Sequence, residues 1–175
     1  MPPHIQLVPL QQGHADAMYR WMCDPAVRDN VGVRSEPSLA RTRDWIEQAT
    51  LDPAVAAFAI EVDAVHVGNV VLDRIDHHLA TCRLSIYVGD ASSRGKGVGR
   101  AAVQHAVQHA FETLRLNKIW LTVHAHNAVA IAAYVAAGFA VEGILRDEFV
   151  LRGKRCAAFY MSILKAEHDH RRQAA

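Results

Sequence analysis

The chain has 175 residues, of which 51% are hydrophobic and 21% charged, and its net charge is +1 with histidine counted as neutral. This length favours one domain with a sizeable core, and the balanced charge argues against nucleic acid as a partner. No apolar run is long enough to span a bilayer, and residues 1–4 lack the features of a secretory signal, so we expect no membrane partner. Cys23, Cys82 and Cys156 are widely spaced and odd in number, which predicts reduced thiols and a cytoplasmic location.

Hydrophobic periodicity in the first third of the chain predicts a strand followed by two helices. The strand covers residues 5–10, and the first helix covers 13–22 and ends at Asp24-Pro25. Residues 27–37 are polar and are expected to form a loop. Ser38 is expected to cap the second helix, which continues to residue 49.

The remainder predicts a mixed sheet with two further helices. Three strands are expected at 55–62, 65–75 and 81–88, a helix at 98–114, a strand at 118–124, a helix at 128–136, and a final hairpin at 139–144 and 150–164. The order β-α-α-β-β-β-α-β-α-β-β is an α/β fold whose mixed central sheet is largely antiparallel, with a crossover helix after residue 88. We expect one domain at residues 1–167 and a flexible tail at 168–175.

A glycine-rich segment, Arg94-Gly95-Lys96-Gly97-Val98-Gly99-Arg100, lies between the predicted strand 81–88 and the helix that follows it. Glycines at alternate positions let the backbone approach a ligand closely, and a helix N-terminus adds the positive end of its dipole. The segment therefore predicts an anion site suited to a phosphate or pyrophosphate. Its spacing fits neither a dinucleotide fingerprint nor a Walker loop. A basic turn that only begins a helix is the alternative.

Two motifs in this chain resemble those of the GNAT superfamily of N-acetyltransferases. Arg94-x-x-Gly97-x-Gly99 is similar to the (Arg/Gln)-x-x-Gly-x-(Gly/Ala) motif, which in that family holds the pyrophosphate of acetyl-CoA. Residues 127–139 resemble the family's second signature, an asparagine, a helix with alanine and tyrosine, and then Gly-Phe. The predicted element order also looks like the GNAT fold, and the layout is nearest to the ribosomal-protein N-terminal, spermidine and amino-sugar acetyltransferase subgroups.

The resemblance implies a direct transfer of acetyl from acetyl-CoA to an amine. It also implies two splayed central strands, with a backbone N–H at Tyr87 or Val88 that stabilises the developing oxyanion. The implied cofactor-binding residues are Tyr87, Val88, Arg94, Gly95, Lys96, Gly97, Val98, Gly99, Arg100, Asn127 and Ala130. Of these, Arg94, Lys96 and Arg100 are the cations expected to pair with phosphates.

Tyr134 is the residue that the resemblance makes the general acid, because the family tyrosine at this position protonates the departing thiolate. Its hydroxyl is a donor that stays neutral at pH 7. A tyrosine that only fills the core is the alternative. Asn127 is expected to cap the helix and to bind the pantetheine arm, with capping alone as the alternative.

The base that deprotonates the amine is not evident from the sequence. Many relatives close to the ribosomal-protein acetyltransferases carry glutamate ten residues before the motif arginine, where this chain has Leu84. The candidates are Ser85, through a water relay, and Asp73 or Glu61, as a base or an anchor for the amine. Water-mediated deprotonation and purely structural roles for these residues stay open.

Eleven histidines raise the question of a metal site. His124 and His126 share a strand face, and His105 and His109 share a helix face, but neither pair has a third ligand at a recognisable spacing. We therefore predict no metal, and expect these histidines to be structural or at the surface, with a place for His124 or His126 near the acceptor pocket as the alternative.

The acceptor is expected to enter over the two N-terminal helices. Residues 26–45 carry three acidic residues and four arginines, which argues mildly against a polycation. The sequence therefore favours a small-molecule acceptor with a phosphate or carboxylate, such as an amino-sugar nucleotide or an amino acid. Acetylation of protein N-termini or polyamines is one alternative, and a non-catalytic acyl-CoA-binding sensor is another. A homodimer is possible, since GNAT members are often dimers.

Overall fold

The computed structural model of the protein describes residues 3–31 and 35–174. One seven-stranded sheet has the order β1-β2-β3-β4-β5-β7-β6, and only the β4–β5 pair is parallel. The strands are β1 (Ile5–Pro9), β2 (Ala56–Val62), β3 (Val65–Asp76), β4 (Thr81–Val88), β5 (Lys118–His124), β6 (Ala140–Leu151) and β7 (Lys154–Leu164). The predicted α/β class with a mixed, mostly antiparallel sheet is confirmed.

Helices pack against both faces of the sheet, because alternate side chains of the strands point in opposite directions. The helices are α1 (Ala15–Cys23), α2 (Pro25–Val31), α3 (Leu39–Leu51), α4 (Val98–Gln108), α5 (Ala128–Ala137) and α6 (Lys165–Gln173). In β2, Ile60 belongs to the main core with α4, while its neighbour Ala59 belongs to a smaller core with Met18 of α1 and Ile46 of α3. The two sides of the sheet therefore carry different helices.

The predicted splay of the two central strands is present. β4 and β5 pair only at Thr81–Lys118, Cys82–Ile119 and Arg83–Trp120, and beyond these pairs they separate. The backbone from residue 84 to 88 thus borders a gap on its β5 side. This gap opens towards the glycine-rich segment that follows β4.

The predicted loop at residues 27–37 is wrong in its first part, because α2 covers Pro25–Val31. Asp24 ends α1 but also begins α2, since its side chain accepts from the N–H of Ala26 at 2.9 Å. Proline suits the first position of a helix, where its missing N–H costs nothing. Residues 32–34 of the predicted loop lie outside the described residues.

Two helix ends also differ from the prediction. The long helix is regular only to Gln108 and then continues as a π-helical turn at His109–Thr113, in which Leu114 donates to the carbonyl of His109. The chain is helical through Gln173 where a tail was predicted from residue 168, and the expected domain boundary at residue 167 falls inside this helix. Arg172 of α6 pairs with Glu112, which ties this helix to the π-helical turn.

Candidate active site

The segment after β4 has the geometry of an anion-binding loop. Gly95 and Gly97 have φ values of 74° and 80°, in the left-handed region that favours glycine. A Cβ at either position would meet no other atom within 4 Å, so the backbone conformation, and not crowding, requires glycine here. Gly97 is the N-cap of α4, whose first turn leaves its N–H groups without intrahelical partners. The loop residues from Arg94 to Gly97 are exposed.

Arg94 is held by the protein itself. Its Nε donates to the carbonyl of Val88 at 3.0 Å and its Nη2 donates to the carbonyl of Gly89 at 2.8 Å. The same guanidinium lies 3.9 Å from the carboxylate of Asp24, at the end of α1. These contacts fix the start of the loop, while Nη1 donates to none of the described residues, so the pairing of Arg94 with phosphate stays a prediction. Lys96 and Arg100 are exposed and form no ion pair with the described residues.

The hydrogen-bond pattern of β4 distinguishes between the two residues predicted to offer an oxyanion N–H. Gly89 donates to Val67 of β3 at 2.9 Å, and Tyr87 pairs with Asn69 in the same ladder. Because backbone groups alternate along a strand, the N–H of Tyr87 faces β3 and that of Val88 faces the gap. Of the two, Val88 is the residue whose N–H is placed for this role.

The side chain of Tyr87 serves the structure. Its hydroxyl donates to Asn69 Oδ1 at 2.8 Å, and burial raises its pKa. Trp21 of α1 packs edge-on against the Tyr87 ring, with centroids 6.1 Å apart. A Cβ at Gly89 would lie 2.1 Å from Trp21 Cδ2. Glycine at position 89 thus lets α1 approach the end of β4, next to the loop.

Tyr134 lies on the side of α5 that faces the main core and is 7% exposed. Its hydroxyl has no hydrogen-bond partner among the described residues, and burial raises its pKa to about 12. The phenol therefore keeps its proton at neutral pH, as a general acid requires. Its ring packs against the ring of Phe139, at a centroid distance of 5.8 Å.

Asn127 caps α5 as predicted, because its Oδ1 accepts from the N–H of Ala130 at 3.2 Å. The side-chain amide of Asn127 donates to none of the described residues, which leaves it available to a ligand. Ala130 lies in the first turn of α5 and packs partly against the main core. Both residues follow the end of β5, on the far side of the gap from the glycine-rich loop.

The three base candidates lie in different environments. Ser85 is exposed on β4. Asp73 of β3 accepts two hydrogen bonds from Arg83, at 2.8 Å and 2.6 Å, which engage both of its carboxylate oxygens. Glu61 binds Gln6 at 2.8 Å on β2, which β3 separates from β4. Leu84, at the family's glutamate position, is buried in the main core.

Two side-chain contacts that join distant parts of the chain were not predicted. His124, the last residue of β5, has its Nδ1 3.5 Å from Cys156 Sγ on β7. Arg152, at the β6–β7 turn, donates to Asp29 of α2 at 2.9 Å. His124 and Cys156 are 32 residues apart in the sequence, and Asp29 and Arg152 are 123 residues apart. Contacts over such distances depend on the fold and not on a local pattern.

Residues 3–31 and 35–174 contain no group of three or more histidine, cysteine or acidic side chains arranged to hold a metal ion. No helix in this part of the chain has the length and hydropathy needed to cross a membrane.

The chain belongs to the GNAT acetyltransferase family, because the family described as Acetyltransferase (GNAT) domain matches residues 4–140. Spermidine N(1)-acetyltransferase of Escherichia coli K12 is 32% identical over 125 residues, which cover 71% of this chain and 67% of that protein. The L-amino acid N-acetyltransferase AaaT of the same organism is 26% identical over 125 residues, covering 69% and 75%.

The fold of a solved acetyltransferase is also similar. Spermidine N-acetyltransferase from Vibrio cholerae, solved in complex with CoA and spermine, has a TM-score of 0.88 at 24% identity, covering 94% of this chain and 97% of that one. With the family match, these relatives identify the protein as an acetyl-CoA-dependent N-acetyltransferase that acts on an amine, and they argue against a non-catalytic sensor.

Proposed function

We propose that this acetyltransferase acts on the primary amine of a small molecule that also carries an anionic group, such as an amino acid or an amino-sugar nucleotide. One observation carries the choice. Asp29 of α2 is an acidic side chain that the β6–β7 turn contacts, and it is already neutralised by Arg152. A polycation would need carboxylates that are free to bind it, whereas an anionic group can be bound by the arginine.

The placement of α2 supports this acceptor site. α2 packs against β4, and the turn between β6 and β7 reaches across to it through the Arg152–Asp29 pair. The two elements thus lie on either side of the gap, at the face where β4 exposes Ser85. Arg28 of α2 is half-buried and forms no ion pair with the described residues, so it can contribute a second positive charge.

The roles of the site residues form part of the proposal. The loop from Gly95 to Arg100 binds the diphosphate of acetyl-CoA through its N–H groups, with Lys96 and Arg100 adding charge. Val88 offers its N–H to the oxyanion, and Asn127 offers its amide to the pantetheine arm, beside Ala130. Tyr134 protonates the departing thiolate. Ser85 can order a water molecule at the acceptor, while Asp73 orients Arg83.

The test is a comparison of acceptors by release of the free CoA thiol. The panel contains L-amino acids, amino-sugar nucleotides, spermidine and a peptide with a free N-terminus. We expect the highest kcat/KM for an amine with an anionic group, and a rise in KM for it in Arg152→Gln, with little change for neutral amines. A preference for spermidine that Arg152→Gln strengthens would overturn the assignment.

A polyamine is the second candidate, because a relative and a solved neighbour are named as spermidine acetyltransferases. In this case a polyamine displaces Arg152 from Asp29 and pairs with the carboxylate. Asp29→Asn then raises the KM for spermidine, whereas it leaves the KM for an amino acid nearly unchanged.

The homodimer and the cytoplasmic location also stay proposals. Edge strand β6 exposes three large apolar side chains, Val141, Ile144 and Val150, which self-association would cover. One solved neighbour, spermidine N-acetyltransferase from Vibrio cholerae with a TM-score of 0.82, is described as dodecameric, so assemblies larger than a dimer belong in the test. Analytical ultracentrifugation distinguishes a monomer from a dimer and from larger assemblies.

A further inference from the structure

His124 lies at the gap, level with the end of β4 that offers the Val88 N–H. The parallel register pairs Arg83 with Trp120, and continuing it by four residues places His124 opposite Tyr87. Neighbouring Val123 points into the main core, so the side chain of His124 points to the opposite face, where β4 directs Ser85. This is the face on which α2 and the β6–β7 turn approach one another.

The imidazole is fixed by neighbours on two strands. It is 7% exposed, and it stacks on Phe149 of β6 with centroids 4.5 Å apart and an angle of 24°. Its Nδ1 lies 3.5 Å from Cys156 Sγ, and the same sulfur lies 3.7 Å from the carbonyl oxygen of Phe149. These contacts leave the ring little freedom to turn.

The contacts of Cys156 determine which ring nitrogen of His124 is protonated. A thiol has one hydrogen, and the Phe149 carbonyl can only accept it. The sulfur then accepts from Nδ1–H, which leaves the lone pair on Nε2 of the neutral ring. Among the described residues, the enclosed side-chain polar atom without a hydrogen-bond partner is Nε2 of His168, so Nε2 of His124 keeps some solvent-accessible surface.

The ring is also in the charge state that a base needs. Burial lowers the pKa of His124, and the neighbouring His126, 5.3 Å away between centroids, lowers it further. The elements packed against His124 contribute Cys156 from β7 and Phe149 from β6. The imidazole is therefore neutral at pH 7.

On this geometry, and resting on the proposed acetyl transfer to an amine, we infer that Nε2 of His124 is the base that removes a proton from the acceptor ammonium group. The freed nitrogen lone pair forms the C–N bond, and the C–S bond breaks. The leaving thiolate takes the phenolic proton of Tyr134. The nitrogen loses its second proton as the amide forms, and this proton returns to the phenolate through water. The imidazolium releases the first proton to solvent.

The test compares His124→Asn with His126→Asn, a matched change two residues away at an exposed position. In His124→Asn we expect kcat at pH 7 to fall by about 10²-fold, the scale of general base catalysis. We expect the wild-type enzyme to lose activity with an inflection at a pH below 6.5, the ordinary pKa of histidine, because the pKa of His124 is lowered, and we expect the variant to lack this inflection. His126→Asn should stay within about two-fold of wild type, as surface changes generally do.

A second acceptor separates catalysis from structure. A fluorinated analogue of the best acceptor, largely unprotonated at the assay pH, needs no base before it attacks. The deficit of His124→Asn should therefore shrink at least several-fold with this analogue, and CoA affinity measured by calorimetry should not change. An equal deficit with both acceptors, or an unaltered pH profile, would assign His124 a structural role and overturn the inference.

Cys156 provides variants that do not remove the base. Cys156→Ser keeps a donor for the Phe149 carbonyl and an acceptor for Nδ1, whereas Cys156→Ala keeps neither. We expect Cys156→Ala to lower kcat several-fold and to change the acid limb of the pH profile, and Cys156→Ser to resemble wild type. Indistinguishable profiles would contradict a positioning role. If the wild-type enzyme acetylates no amine, the proposed function is wrong, and the inference about His124 is lost with it.

Discussion

Gly97→Ala tests whether the left-handed turn before α4 is needed for CoA binding. An alanine in this backbone region costs roughly 1–2 kcal/mol compared with the right-handed region. A Cβ at position 97 would meet no other atom of the protein within 4 Å, so this conformational cost is the whole expected effect within the free protein. If the free loop relaxes, CoA must restore the strained form on binding, and its affinity falls by roughly 5- to 30-fold.

Gly99→Ala is the matched control, because it adds the same methyl group two residues later. Its Cβ would lie 3.8 Å from Val88 Cγ2, an ordinary contact, and its φ is not in the left-handed region. Alanine is a better helix former than glycine, so this variant should be as stable as wild type or more stable, by up to about 1 kcal/mol. We expect it to keep most of the affinity for CoA.

Calorimetry with CoA and urea unfolding are measured on both variants. If the loop keeps its conformation in Gly97→Ala, the cost appears in the free energy of unfolding; if the loop relaxes, it appears in CoA affinity. The two losses together should amount to roughly 1–2 kcal/mol. Wild-type values for both quantities in Gly97→Ala would refute the reasoning, as would a larger loss of affinity in Gly99→Ala.

Three further predictions concern Tyr134, Gly89 and His66. Tyr134→Phe should lower turnover in a thiol-release assay by about 10²-fold with nearly unchanged CoA affinity. The control is Tyr160→Phe on β7, where the ring stacks on Trp120, and it should change neither quantity. Equal turnover of Tyr134→Phe and the wild-type enzyme would remove the acid role. Gly89→Ala should destabilise the fold by about 1–3 kcal/mol in urea unfolding, since its Cβ would lie 2.1 Å from Trp21 Cδ2, and a wild-type midpoint would contradict this packing. Burial lowers the pKa of His66, so the unfolded chain binds more protons than the folded protein, and the free energy of unfolding should decrease as the pH falls below 6.5. In urea titrations His66→Asn should make this decrease smaller. An identical pH dependence of the variant and the wild-type protein would contradict the contribution of His66.

Much of the sheet follows from local sequence rules. The turn at Asp63 and Ala64 joins β2 and β3 as expected, with both residues at positive φ. Ser38 and Asn127 begin α3 and α5 by accepting from backbone N–H groups three residues on, as cap residues do. Each of these features depends on a few residues that are neighbours in the chain, so it can be predicted from the sequence alone.

Features that depend on distant contacts or on ambiguous local patterns were not predicted. Asp24-Pro25 ends one helix and begins the next, and the same residue types are compatible with either function alone. The π-helical turn keeps Ala110 and Phe111 buried, so the apolar stripe continues through it without a visible break. Arg94 belongs to a motif that indicates phosphate binding, yet its guanidinium binds the carbonyls at the end of β4.

The seven strands form one sheet, but three residue pairs alone join β4 to β5 along its midline. The ladders on either side of this seam are longer, so the seam is where the sheet has the least backbone hydrogen bonding. A ligand bound in this seam would contact both halves of the sheet and hold them together. Amide deuterium exchange at Ile86 and Val88 should therefore slow when CoA is added, and heat resistance should rise with its concentration.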